Sequence, residues 1–189
     1  MKRILVIFSS PHREGYTRKL TDSFMRVFSD DEEYEIAEIN AYEENIKPCI
    51  DCGCCSKTEG CAFADFRKID KMLRESDLLI VASPIYNSTF PSPFKAILDR
   101  TQQYYNARFS LQINPPIEKK RQAVLILTLG SKDEFAVEVT KKQLTRSFTV
   151  MNTELFGTVV WSNTDTESKN NTEAAEKATA MALEISKKM

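Results

Sequence analysis

Five cysteines, Cys49, Cys52, Cys54, Cys55 and Cys61, crowd into one short segment of a 189-residue chain that has none elsewhere. Soft ligands at that density can hold a metal centre or act as redox thiols. Four of them, Cys49, Cys52, Cys55 and Cys61, read C-x2-C-x2-C-x5-C. Three thiolates at steps of three can close around one compact inorganic centre, and a fourth after a short excursion completes the ligand set. Cys54 is then left as a free thiol. Structural zinc more often uses two C-x-x-C pairs set apart by a longer loop, and a bare thiol loop needs no spacing rule. A disulfide framework is a poor reading, because bridges inside so short a segment constrain little chain.

A second group of residues suits phosphate chemistry. Ile4 to Phe8 is a continuous apolar run, followed by Ser9-Ser10-Pro11-His12-Arg13-Glu14-Gly15-Tyr16-Thr17 and then a helical pattern at Leu20, Phe24, Val27 and Phe28. A strand, a hydroxyl-bearing turn and a helix start offer unpaired N–H groups, a partial positive charge and the hydroxyls of Ser10 and Thr17. Thr17 or a near neighbour is expected to cap that helix. The segment matches neither G-x-G-x-x-G nor G-x-x-x-x-G-K-[ST], so dinucleotide-fold and triphosphatase fingerprints are absent. The single histidine, His12, leaves no Ser-His-Asp or multi-histidine metal constellation.

The elements that must position these groups follow from periodicity. Tyr34 to Ile39 alternates like an edge strand, and Asp65 to Glu75 carries Phe66, Ile69, Met72 and Leu73 on one helical face. Asp77 to Ala82 reads as a buried strand, broken by Ser83-Pro84-Ile85-Tyr86-Asn87. A helix is expected from Pro91 to about Tyr105, then a long connection to Lys120 holding Tyr104, Tyr105, Phe109, Leu111 and Ile113 near its start. Strand Ala123–Leu129, helix Asp133–Val150, strand Glu154–Trp161 and helix Asn171–Lys188 complete the pattern. Strands alternating with helices predict a three-layer α/β domain, a parallel sheet covered on both faces. Residues 1–189 read as one such domain, with a cysteine-rich loop at 48–62. Its ligand crevice should lie beyond the strand carboxyl ends, at loops 9–17, 83–90 and 128–135.

Composition narrows the function classes. With 26 Lys plus Arg against 27 Asp plus Glu, and neither sign clustered, no electrostatic footprint for nucleic acid or an anionic membrane is present. No apolar run approaches the roughly 20 residues of a bilayer span. The apolar start is shorter than a signal-peptide core, so a cytoplasmic location is expected.

Ser9 to Thr17 resembles the G-S-P-R-x-x-G-N-T loop of the flavodoxin-like NAD(P)H-dependent FMN reductases, with His12 at the family's arginine and Tyr16 at its asparagine. Ser83-Pro84-Ile85-Tyr86-Asn87, then Lys95 and Asp99-Arg100, resembles the family's S-P-x-Y loop and K-x-x-x-D-R helix. The resemblance implies a five-stranded parallel sheet in the order 2-1-3-4-5. It implies FMN held at its phosphate by Ser10, His12, Tyr16 and Thr17. The ring would be lined by Pro84, Ile85, Tyr86, Asn87, Ser88 and Thr89 on one side and by Thr128, Gly130 and Ser131 on the other. Electrons would pass from NAD(P)H to a quinone, nitroaromatic or flavin, in a homodimer or homotetramer. The cysteine pattern is similar to that of the iron–sulfur flavoproteins, which implies a [4Fe–4S] cluster on Cys49, Cys52, Cys55 and Cys61 and a small-molecule or protein electron partner. A non-catalytic zinc module or thiol switch is the third reading.

Overall fold

The computed structural model describes residues 1–29, 31–166 and 171–189. Five strands, β1 (Lys2–Phe8), β2 (Tyr34–Asn40), β3 (Leu78–Pro84), β4 (Arg121–Thr128) and β5 (Thr153–Trp161), form one parallel sheet in the order β2-β1-β3-β4-β5. The expected strand order is the observed one. Strand β3 is buried at every position and β1 and β4 nearly so, which is why they read as unbroken apolar runs. The edge strand β2 is mostly exposed or half-buried, with only Ile39 fully buried, and β5 is largely half-buried.

Alternate strand residues supply two cores. Leu5, Ile7, Leu79, Val81, Leu125 and Leu127 pack with α2 (Arg67–Glu75), α3 (Ser92–Arg100) and α5 (Glu134–Val150) through Ile69, Leu73, Ile97, Leu144 and Phe148. Ile4, Val6, Phe8, Ile80, Val124 and Ile126 pack with α1 (Tyr16–Met25) and α6 (Thr172–Ser186) through Leu20, Phe24 and Ile185. Helix α6 comes in closely because its buried stripe includes Ala174, Ala178 and Ala182.

Three expectations change. The helix expected from Pro91 to about Tyr105 is two helices, α3 and α4 (Gln102–Phe109), separated at Thr101. There the Thr101 hydroxyl donates to Leu98 O at 2.7 Å, competing with the backbone ladder. The residue before α1 is Gly15 rather than Thr17, and Thr17 is buried within the first turn. Tyr104 is fully buried in its own core, whereas Tyr105 and Phe109 remain about half exposed, with ring centroids 4.6 Å apart. Short 3-10 turns also occur at Cys54–Ser56 and Ala64–Phe66. Among the described residues no helix is long and apolar enough to cross a membrane.

Candidate functional site

Strand β1 lies inside the sheet, and the chain leaves it to one face through α1 and returns to the other through α2. The carboxyl ends of β1, β3 and β4 therefore open onto a crevice at this switch point. Their ends are tied together. Ser9 N–H donates to Ala82 O at 2.8 Å, and Ile85 N–H donates to Thr128 O at 2.8 Å. The hydroxyls of Thr17 and Thr128 are buried and 2.7 Å apart, joining α1 to β4.

The crevice is a cavity of about 580 Å³, within the roughly 300–1,000 Å³ range of small-ligand sites. One wall is Ser10, His12, Gly15, Tyr16 and Thr17; the others are Pro84, Ile85, Tyr86 and Asn87, and Thr128 with Gly130. The hairpin at 86–89 is closed by reciprocal Tyr86 and Thr89 backbone bonds at 2.9 and 3.0 Å, with Asn87 and Ser88 both at positive φ. That is the geometry of a two-residue type I′ turn. Three expected residues lie off this cavity: Ser88 at the turn, Thr89, whose hydroxyl donates to Gln143 at 3.1 Å, and the exposed Ser131.

The helix end at this wall is suited to an anion. Helices α5 and α6 begin with side-chain caps from Asp133 and Asn171, each accepting an N–H at 2.9 Å. Helix α1, like α2, α3 and α4, has no side-chain cap at its start, which falls at Gly15, and because Gly15, Tyr16 and Thr17 line the cavity the unpaired N–H groups of a helix start lie at this wall. Ser10 Oγ accepts the His12 N–H at 3.2 Å, and Gly15 N–H donates to His12 O at 3.2 Å, folding the turn tightly. A side chain at Gly15 would place its Cβ 2.9 Å from that of His12. The donor set fits a phosphate and the cavity fits a nucleotide-sized ligand.

Two lining residues escaped the motif reading. Thr164 and Asp165 follow β5 and are bound onto the end of β4, Thr164 N–H to Leu129 O at 3.1 Å and Asp165 N–H to Gly130 O at 3.3 Å. The Asp165 carboxylate lies so close over Gly130 that a Cβ there would be 2.2 Å from it. The segment Asn163-Thr164-Asp165-Thr166, rich in turn-forming residues just past a strand, was the signal that could have drawn attention to it.

The thiol loop lies apart from this crevice in its lining. Cys49, Cys52 and Cys54 are exposed and Cys55 and Cys61 half-buried. Among the described residues no three of His, Cys, Asp or Glu converge in a way that could hold an ion, so Cys49, Cys52, Cys55 and Cys61 do not form a four-thiolate cage in this arrangement. Asn106 Nδ2 donates to Cys55 Sγ at 3.1 Å. Hydrogen bonding from Cys54 N–H holds the Cys52 thiol below the ordinary range, and the bond to Cys52 pushes Cys54 above it.

The neck of that loop is an ion pair. Arg100, whose side chain is fully buried, holds Asp65 at 2.9 Å. Burial works to raise the Asp65 carboxyl, but the Arg100 bond and the N–H of Lys47 outweigh it and hold it below the ordinary value. A carboxylate depressed on folding contributes stability above its unfolded pKa of about 3.9 that is lost as pH falls through the lower folded value. Urea unfolding from pH 6 down to pH 2 should therefore show the native chain losing its advantage over Asp65→Asn toward the acid end.

A doubly wound parallel sheet with a phosphate-suited cradle at its switch point defines the class: a flavodoxin-like α/β fold. The family model described as NADPH-dependent FMN reductase matches residues 2–166, and the chain belongs to that family. It is similar to the iron-sulfur flavoprotein of Methanosarcina thermophila, 27% identical over 111 residues, 58% of each chain. It is also similar to that of Archaeoglobus fulgidus, 27% identical over 99 residues, 52% of this chain and 44% of that one. The chain thus spans about half the length of the curated relatives it matches. Among solved structures it resembles an NAD(P)H:quinone oxidoreductase from Methanothermobacter marburgensis, with a TM-score of 0.73, 14% identity and coverage of 95% and 92%. A second is an FMN-dependent NADH-azoreductase from Bacillus anthracis in complex with FMN, with a TM-score of 0.64, 15% identity and coverage of 100% and 99%. At these identities the likeness is one of fold.

Proposed function

We propose that the protein holds FMN in the crevice at the ends of β1, β3 and β4 and passes electrons from NAD(P)H to a small acceptor of the quinone, nitroaromatic or flavin class. The observation that carries this reading is the cavity itself: an uncapped helix start, two buried hydroxyls and a tight β-turn wall meet in one space of nucleotide size. Bound there, the flavin would supply hydride acceptance and onward electron transfer. The chain's part is to bind and orient. Ser10, Thr17 and the α1 N–H groups take the phosphate, with His12 and Tyr16 beside them. Pro84 to Asn87 and Thr128 to Gly130 flank the ring, and Tyr86, 42% exposed, stays open to an incoming nicotinamide. The exposed Tyr105 and Phe109 pair offers apolar surface for a homodimer or homotetramer in the cytoplasm.

The cysteine spacing and the names of the curated relatives favour a second reading, an electron carrier with a [4Fe–4S] cluster beside FMN. Anaerobic purification with flavin, iron and sulfide quantification tests both. One flavin and no iron per chain is the expected result for the reductase. About four irons with flavin would move the assignment to the carrier, and a chain that takes up no FMN would overturn both.

A further inference from the structure

Of the K-x-x-x-D-R helix, the flavin reading leaves the arginine without a role. Lys95 and Asp99 pair with each other on the outer face of α3, both over 40% exposed. Arg100, the next residue, turns inward and is buried to 0% side-chain exposure. Its Nη1 donates to Lys47 O at 2.9 Å and Asp65 Oδ2 at 3.4 Å, and its Nη2 to Asp65 Oδ1 at 2.9 Å and Phe63 O at 3.2 Å. Asp65 completes the closure by accepting the Lys47 N–H at 2.9 Å. The guanidinium also lies 5.1 and 5.5 Å from the ring centroids of Phe63 and Phe66. One side chain thus ties the residue just before the thiol loop to the residues just after it. All five cysteines lie between those ties.

The guanidinium has one donor left. Its Nε–H is buried and without a hydrogen-bond partner among the described residues, and the Cys61 thiol lies within electrostatic range of the guanidinium. Cys61 itself is only two residues from the Phe63 carbonyl that the arginine holds. Asn106 of α4 donates to Cys55 Sγ. Cys55 and Cys61 are the two half-buried thiols, whereas Cys49, Cys52 and Cys54 are exposed.

We propose that Arg100 is the positioning residue of the thiol loop: it closes the neck between Lys47 and Phe63 and holds Cys61 on the inner side while Cys52 and Cys54 are presented outside. Helix α3 begins just past the 86–89 hairpin that walls the flavin crevice and ends at Arg100, about 13 Å along its axis. The arginine therefore fixes the loop to the helix that directly follows the crevice's hairpin wall. Any soft ion or electrophile the loop takes meets thiols already placed, with no metal needed to close the neck.

Site-resolved alkylation tests this on the full-length chain, reduced and cleared of metal by chelation, with iodoacetamide labelling of each cysteine followed by peptide mass spectrometry. In the native chain Cys61 should label at least about tenfold more slowly than Cys52. In Arg100→Met, Cys61 should rise to the rate of Cys52, with Cys52 and Cys54 unchanged. Arg100→Lys keeps the charge without the planar fork and should fall between. If Arg100→Met does not fold, Asp65→Asn opens the same neck and should accelerate Cys61 selectively. A native Cys61 as fast as Cys52, a Cys61 rate unmoved in the folded variants, or equal acceleration of all five thiols would each overturn the proposal.

Discussion

Replacing Thr17 by Val together with Ser10 by Ala is expected to weaken FMN binding by about 1–3 kcal/mol, a rise in Kd of roughly 5- to 150-fold. Both hydroxyls line the cavity wall beside the uncapped start of α1, where a doubly charged phosphate would meet them. Hydrogen bonds to a charged acceptor are stronger than neutral ones, so their loss should exceed that of an ordinary surface hydroxyl. The Thr17 hydroxyl also bonds Thr128, so urea denaturation of the same double variant separates lost stability from lost affinity. Fluorescence titration of the apoprotein reads the difference, and an unchanged Kd in the double variant would place the phosphate elsewhere.

Arg100→Met should lower the free energy of unfolding by about 3 kcal/mol, read by urea denaturation. The loss has three sources: an Asp65 carboxylate left without its cation, and the Lys47 and Phe63 carbonyls left without a donor. Asp65 is only partly buried, at 24% exposure, so water recovers some of the cost.

Much of the sheet was legible because β1, β3 and β4 are covered on both faces and carry unbroken apolar runs, while β2, at the sheet edge, is largely open to solvent and carries charges at Glu35 and Glu38. The separation of α3 from α4 was not legible. Residues 92–109 keep an apolar pattern through Thr101, and the interruption shows only in the hydrogen bonds there: the Thr101 hydroxyl and N–H both go to Leu98 O, and the Tyr104 N–H to Thr101 O. Thr17 has the composition of a cap, but Gly15 takes that position and frees Thr17 to reach Thr128, a contact between residues far apart in the chain. Asp165 belongs to a loop with no motif of its own; its place in the crevice depends on backbone bonds to Leu129 and Gly130. Likewise, the K-x-x-x-D-R resemblance does not separate Asp99 from Arg100, and the burial of Arg100 at the neck of the thiol loop follows from where α3 ends.

Equilibrium titration of the apoprotein with FMN and, separately, with riboflavin examines the assignment most directly, since the two ligands differ only in the phosphate. The account predicts saturable one-to-one binding of FMN and a riboflavin Kd about a hundredfold higher, equivalent to about 2.7 kcal/mol supplied by the α1 cradle. Equal affinities for the two, or no binding of FMN, would contradict it.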